Sequence, residues 1–349
     1  ISPQAAAVPQ QENDTKIGFL TRLRTEPHIS NGYTWFRGDL HMHTFHSDGQ
    51  WTISKIFEYA KGNNLDFLGF TDHNTTSHHS VIDRTAKEYP EILATRAEEV
   101  TTYGGHFNVW GLPSGTLIDF RVTPGDVTRL NQVLATVHAL DLPASINHPT
   151  ALCGGCSWSY GDDWSGMDSV EIWNGEWDLT DEAALQKWDK VLQQGSRITA
   201  IGSSDTHALP KTDPGSPMTI GLPTTFAGAE RLTQIDVFSA IRKHRVYAAE
   251  KPNYIVELSA NKAGIGDEIK VNSGKKVTVV ASLEGFPRNS RAMLISAGKT
   301  AGDYASVPGA YSMSGEITVT KNTYVRLEVR DEKGKMLAFT NPIFLQVKQ

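Results

Sequence analysis

The chain of 349 residues carries a formal net charge of -6, with 39% hydrophobic and 21% charged residues. That length accommodates two domains, or one large barrel with an appendage, around a core that needs no staples. The acidic balance argues against a broad nucleic-acid-binding surface, and no run of about 20 apolar residues is present to span a bilayer.

The first 30 residues begin polar and Pro/Gln-rich and turn apolar at Ile17-Gly18-Phe19-Leu20, which predicts a tail followed by a short strap. The opening residues lack the basic and apolar regions of an intact signal peptide. A processed, exported chain (periplasmic or extracellular) is the expectation, with a cytoplasmic one as the alternative. From Trp35 a short strand runs into the polar cluster Asp39-Leu40-His41-Met42-His43. A helix is expected over 52–63, with Ile53, Ile56, Phe57 and Ala60 on one face. A buried strand over 65–70 then ends at Thr71-Asp72-His73-Asn74. An extended piece over 91–95 leads through Glu98-Glu99 to another over 107–110. A helix over 124–140, a strand over 143–147 ending at His148 and a strand over 169–173 follow. Next come a helix over 181–194, a strand over 198–201 that runs on to Asp205-Thr206-His207, and a helix over 230–244.

Repeated strand-then-helix units predict a parallel sheet, and about seven of them fit in 35–250, as in a β/α barrel. The polar clusters fall just after the strands, where such barrels place their active sites. After residue 251 the texture changes to closely spaced, β-branched runs without helices, which predicts an antiparallel β-sandwich-like domain. The domain boundaries expected are 1–30 for the tail and strap, 31–250 for the barrel and 251–349 for the β-rich part.

Cys153 and Cys156 stand in a C-G-G-C spacing. They read as a local disulfide, two free thiols or half of a metal site. The Gly/Ser/Trp-rich loop between His148 and Ser169 carries Trp158, Tyr160 and Trp164, and is expected to flank the pocket with aromatic surface for a substrate, ordinary loop packing being the alternative.

His41 and His43 lie two apart on a strand, so both imidazoles face one side and can reach one ion. Asp48, His73, Glu99, His106, His148, Asp205 and His207 end or follow other strands. So many acids and imidazoles at a barrel mouth would repel or go unsatisfied unless cations held them. Mixed His and carboxylate ligands suit two or three divalent ions such as Zn, Mn or Fe. Asp39 and Asp72 are read as groups that orient these histidines, with strand-end capping as the alternative. His46, His78 and His79 are read as solvated surface histidines, with protonation of a leaving group or an anion contact as the alternative. Glu171 and Asn174 sit at a strand end and are expected to face the pocket, Glu171 with a structural role as the alternative.

These motifs, Asp39-Leu40-His41-Met42-His43 with Ser47-Asp48-Gly49, Thr71-Asp72-His73-Asn74, Asn147-His148-Pro149 and Ser204-Asp205-Thr206-His207, resemble the PHP (polymerase and histidinol phosphatase) superfamily of hydrolases. Glu98-Glu99-Val100, Gly105-His106-Phe107-Asn108 and Val170-Glu171-Ile172-Trp173-Asn174 add to the likeness. Within the superfamily the chain is similar to the carbaryl hydrolase-like (CehA/McbA) branch over residues 33–250. The resemblance implies an α/β fold built on a distorted (β/α)7 barrel. It also implies a first metal on His41, His43 and Asp205, bridged by Glu99 to a second on His106 and His148. Asp48, His73 and His207 would hold a third. A metal-bridging water would act as the nucleophile on a small-molecule ester. A phosphoesterase is the leading expectation, with a carboxyl ester, carbamate or amide hydrolase second and a non-catalytic metal-stabilised binding protein third.

Overall fold

The computed structural model describes residues 26–208, 219–305 and 311–348, with the side chains of 303–305 also left aside. The tail and the strap expected at 17–20 lie outside the described residues. A short β1 (His28–Ser30) turns back into β2 (Tyr33–Asp39). The chain then runs through α1 (Ile53–Gly62), β3 (Phe67–Phe70), α2 (His79–Thr85), β4 (Leu93–Thr102) and β5 (Gly105–Trp110). It continues through α3 (Val127–Ala139), β6 (Ala144–Ile146), β7 (Ser169–Asn174), α4 (Leu179–Gln193) and β8 (Thr199–Ser203). β9 (Thr224–Ala229), α5 (Gln234–Arg242) and β10 (Val246–Ala249) complete this part.

Local chemistry sets the helix starts. The Thr52 hydroxyl accepts from Lys55 N–H and opens α1, whose Ile53, Ile56, Phe57 and Ala60 are buried. Asp126 does the same for α3, and a reciprocal capping box of Asp178 and Asp181 opens α4. Each helix then lays an apolar face on the sheet. No described helix is long and apolar enough to cross a membrane.

The sheet is mixed rather than all parallel. β2–β3, β3–β4, β6–β7 and β7–β8 are parallel, whereas β4–β5, β5–β6, β2–β9 and β9–β10 are antiparallel. The turn from β4 to β5 is a tight one through Gly104 and Gly105. Gly105 has φ +128, and a Cβ at Gly104 would lie 2.7 Å from the Pro124 backbone. Alternating apolar runs do not distinguish such a hairpin from a crossover, which is why a purely parallel barrel was expected.

The expected (β/α)7 barrel needs a second correction, because no continuous ladder joins β8 back to β2 among the described residues. Beyond the strand ends the two edges do meet. Asp205 N–H donates to His41 C=O at 2.9 Å and His43 N–H to Thr206 C=O at 3.0 Å. Lower down, β8 is satisfied by side chains. The Thr225 hydroxyl of β9 accepts from Gly202 N–H (3.1 Å) and donates to Gly202 C=O (2.5 Å). The Asn341 amide accepts from Ala200 N–H (2.8 Å) and donates to Ala200 C=O (2.7 Å) and Val246 C=O (2.9 Å). Alternate residues of β8 thus present their backbone to the seam, and polar side chains replace the missing strand.

From Ile255 onward the elements are strands. β11 (Ile255–Ala260), β12 (Ala263–Gly264), β14 (Lys275–Glu284) and β17 (Tyr311–Val319) form a four-stranded antiparallel sheet. β13 (Glu268–Val271), β15 (Arg291–Ser296), β16 (Lys299–Ala305), β18 (Thr323–Arg330), β19 (Met336–Thr340) and β20 (Ile343–Val347) join the main sheet through β19–β10. The two layers share a core of Val256, Leu258, Val277, Val279, Leu294, Val325, Leu327 and Leu345. The layers are sandwich-like, but one of them is continuous with the sheet that carries the polar clusters, and β13 pairs with β20 in parallel.

Candidate metal centre

The two-apart spacing in His41-Met42-His43 and in Asp205-Thr206-His207 has a common cause. The two segments run side by side, with Met42 opposite Thr206. Met42 packs into the core beneath, so His41 and His43 turn the other way. On the far side, Thr71 N–H donates to Met42 C=O and Glu99 N–H to Thr71 C=O, and His73 stands opposite Glu99. The strand ends therefore line up as 205–207, 41–43, 71–74 and 99, and the β4–β5 hairpin adds His106.

Glu99 is the centre of the group. Its Oε1 lies 3.0 Å from His106 Nδ1 and 3.4 Å from His148 Nε2. Its Oε2 lies 2.9 Å from His73 Nδ1, 3.3 Å from His43 Nε2 and 3.4 Å from His41 Nε2. Asp205 Oδ1 lies 2.9 Å from His43 Nε2 and 3.2 Å from His41 Nε2. At the outer edge Asp48 Oδ1 lies 3.3 Å from His207 Nε2 and 3.7 Å from His73 Nε2, with the Asp48 side chain 58% exposed. Three sets of ligand atoms come within reach of a common point. They are His41, His43, Glu99 and Asp205; His73, Glu99 and His106; and His43, Asp48, His73 and His207. Every residue expected to bind a metal is thus in one neighbourhood. The partition differs in that His73, expected at the third position, also stands with Glu99 and His106, where His148 was expected.

The donor set fits cations. Buried His41 Nε2 and Glu99 Oε2 lie close to other ligand atoms without a well-directed hydrogen bond to any of them, and burial on those terms is costly. Burial alone would raise the Glu99 pKa, but the charge on His41 and bonds from His106, His148 and His41 hold it well below the ordinary value. Burial opposes a charged His41, yet the carboxylates of Asp205, Glu171 and Glu99 hold its pKa well above the ordinary value. The carboxylates call for positive charge that divalent ions would supply in place of protons. The backbone adds a sign of function: His148 and Asp205 hold left-handed φ values of +26 and +48, uncommon for non-glycine residues and enriched at functional sites. Gly49 lets the Asp48 loop fold back, since a Cβ there would lie 2.5 Å from the His43 carbonyl oxygen.

Behind the ligands, Glu171 accepts from His41 Nδ1 at 3.1 Å, from His148 N–H at 3.0 Å and from Asn174 Nδ2 at 2.9 Å. Asn174 Nδ2 also donates to Asp205 Oδ2 at 3.2 Å. Glu171 thus fixes the ring that offers Nε2 to the cluster. Glu171→Gln is expected to keep the fold and weaken metal binding by about 10–100-fold, as measured by metal titration. Affinity unchanged from the wild type would contradict this.

Asp39 and Asp72 contact backbone amides and hydroxyls of the ligand-bearing segments, as in the capping alternative. Asp39 accepts from the backbone N–H groups of His41, Ser204 and Gly221. Asp72 accepts from Thr44 N–H, Ser47 N–H and both hydroxyls. Strand ends leave amides unpaired at the mouth, and a short carboxylate satisfies several at once. Burial still pushes Asp39 up to about 6 against those bonds.

His78 and His79 are buried rather than solvated. His78 Nε2 donates to Ala97 C=O (3.0 Å), and Gly115 N–H donates to His79 Nδ1 (3.3 Å). They cap carbonyls and amides behind β4. Burial lowers both pKa values, that of His79 to about 4, which keeps them neutral. His46 is partly exposed and its Nδ1 lies 2.9 Å from Ser77 Oγ. None of the three has a described contact with the cluster.

The loop after His148 also departs from expectation. Trp158, Tyr160 and Trp164 are buried in the main core instead of offering surface to a ligand. Burying three large rings is worth about 2–3 kcal/mol each, more than exposure at a rim returns. Cys153 and Cys156 are joined as a disulfide at the loop tip.

Strand alternation turns Glu98 away from Glu99. Glu98 is buried, accepts from Ile118 N–H at 2.8 Å and has a pKa pushed by burial to about 8. Between 4.5 and about 8 the folded protein holds a proton that the unfolded chain has released. That stability is fully present below the lower value and is lost as pH rises through the window. Glu98→Gln is expected to flatten this decline, which is at most about 1.4 kcal/mol per pH unit. Denaturant unfolding across the window tests it, and parallel wild-type and variant profiles would contradict it.

No family model and no curated relative matches the sequence. Solved structures do. A two-domain protein from Bacteroides vulgatus, described as containing a predicted PHP-like metal-dependent phosphoesterase, aligns with a TM-score of 0.56 at 18% identity. The alignment covers 92% of this chain and 99% of that one. The chain shares that fold. A candidate metal-dependent phosphoesterase from Bifidobacterium adolescentis aligns over 52% of this chain and 91% of its own, with a TM-score of 0.39 at 16% identity. An amidohydrolase from Chromobacterium violaceum aligns over 52% of this chain and 89% of its own, with a TM-score of 0.38 at 15% identity.

Proposed function

We propose that the protein is a metal-dependent hydrolase of the PHP type that cleaves a small phosphate ester. One observation carries the reading: imidazoles and carboxylates from successive strand ends converge on Glu99, with buried ligand atoms left without well-directed hydrogen bonds. His41, His43 and Asp205 would hold one ion, and His106 and His148 a second, with Glu99 shared between them. Asp48, His73 and His207 would complete a third position at the exposed edge. Bound divalent ions acidify a water and polarise the ester oxygen. The chain's own contribution is to fix the ligands: Glu171 aligns His41, Asn174 joins Glu171 to Asp205, and Asp39 and Asp72 tie down the loops that carry them.

A second reading is a carboxyl ester or carbamate hydrolase of the carbaryl hydrolase-like branch. Its hydrolytic chemistry would use the same ligands, since bound divalent ions polarise a carbonyl oxygen as they do a phosphoryl oxygen.

The test is elemental analysis followed by turnover of p-nitrophenyl phosphate, bis-p-nitrophenyl phosphate and p-nitrophenyl acetate, with and without chelator. Two or more divalent ions and chelator-sensitive phosphate-ester hydrolysis are expected. Cleavage of the acetate alone would favour the second reading. Bound metal without turnover of any ester would point to a metal-stabilised binding protein. Metal uptake is expected to weaken as pH falls through the histidine range, since ions and protons compete for the same nitrogens.

A further inference from the structure

The floor of the cluster is made of amides. In the β4–β5 register Glu99 stands directly opposite Asn108. Asn147 follows β6 on the adjoining strand, and its backbone N–H donates to His106 C=O at 3.0 Å. Both asparagines are buried. Asn147 Nδ2 donates to Glu99 Oε1 at 2.9 Å and to Asn108 Oδ1 at 2.9 Å. Asn108 Nδ2 in turn reaches Leu40 C=O at 3.4 Å, where Trp110 Nε1 also donates at 2.8 Å. The chain of bonds therefore runs from the backbone just before His41, through two amides, to the oxygen of Glu99 that faces His106 and His148.

The choice of amide is chemically meaningful. A carboxylate shared between ions must present its two oxygens in fixed directions. Other contacts to Glu99 come from imidazoles that an ion would claim. Asn147 is a neutral donor, so it holds Oε1 in place without neutralising the charge left for cations. A Lys in its place would compete with the ions, and an Asp would set a second carboxylate against Glu99.

We propose that Asn147, braced by Asn108, is a positioning residue that fixes the Glu99 carboxylate and thereby builds the cation position formed with His106 and His148. This rests on the reading of the cluster as a metal centre. The probe is Zn2+ alone, titrated into chelator-stripped full-length protein, with elemental analysis of the loaded form and the visible spectrum of the Co2+-loaded form. Asn147→Ala is expected to weaken one bound equivalent about 10–100-fold and to change the Co2+ spectrum of that equivalent, while the tightest equivalent stays as in the wild type. Asn108→Ala leaves Asn147 in place and is expected to show the same selective loss in smaller measure. The double variant is expected to be no worse than Asn147→Ala, because both act through one bond. Circular dichroism confirms that each variant is folded, and Asn108→Ala carries the test if Asn147→Ala is not. A folded variant that binds Zn2+ with wild-type stoichiometry and affinity overturns its residue's role. Wild-type protein that takes up no Zn2+ overturns the metal-centre reading itself, and the proposal with it.

Discussion

Replacing Glu99 with alanine is expected to strip the cluster of its shared cations and lower kcat/KM roughly 10^3-fold or more, about 4 kcal/mol of transition-state stabilisation. Among the described residues no other side chain meets so many of the candidate ligands: one oxygen faces His106 and His148, the other His41, His43 and His73. Removing it leaves imidazoles that repel one another once protonated, and ions with no anionic bridge. Glu99→Gln separates charge from shape, since it keeps an oxygen near its neighbours but cannot balance two cations. Both variants are expected to lose metal by elemental analysis while keeping a wild-type circular dichroism spectrum. Glu98→Gln, one residue away, is expected to keep its metal because Glu98 faces Ile118. Full metal content in Glu99→Ala would refute the central assignment.

The second large effect concerns the seam. Asn341→Ala is expected to destabilise the protein by about 2–6 kcal/mol, a large share of the 5–15 kcal/mol typical of folded domains. The change strands Ala200 N–H and Ala200 C=O, both served by the one amide and both buried, while Val246 C=O keeps the backbone N–H of residue 341 at 3.1 Å. Each orphaned group costs about 1–3 kcal/mol. Thr225→Val is nearly isosteric and strands both Gly202 groups, so a loss of about 2–6 kcal/mol is expected from the same rule. Because β8 leads into Asp205, these changes also loosen a candidate ligand. Denaturant or thermal unfolding measures the loss, and an Asn341→Ala variant within about 1 kcal/mol of the wild type would show that the seam does not depend on it.

Asn341 belongs to the β-rich part, yet it completes the strand that carries Asp205. Composition marks a change of texture after residue 251 and so suggests separable units, but β19 pairs with β10 and the Asn341 amide reaches β8. Such a bond across 141 residues leaves no local signal.

Where the physics is local, the residues alone suffice. Strand periodicity is two, so His41 with His43, and Asp205 with His207, had to share a face wherever those segments ran extended. Helix faces such as that of Ile53, Ile56, Phe57 and Ala60 follow from spacing in the same way. Asn147 was legible only as the first residue of Asn147-His148-Pro149, with nothing to show that its amide meets Glu99.

Residue spacing misleads where the outcome depends on which unpaired backbone group a side chain finds. His78 and His79 look like surface residues until Phe70 and Ala97 place their carbonyls beside them. Trp158 and Tyr160 read as rim aromatics until the β4–β5 hairpin offers them a bed at Gly104 and Gly105. Asp39 and Asp72 find amides to cap at the strand ends, which spacing alone does not show.

The candidate donors and the two same-face pairs are thus legible in the residues alone, because side-chain alternation along a strand needs no tertiary contact. Which imidazole meets which oxygen of Glu99, which carboxylates cap backbone instead, and what closes the seam beside β8 depend on the assembled fold. Those outcomes are set by sheet register and by the burial of unpaired polar groups, and both exist only once distant strands have come together.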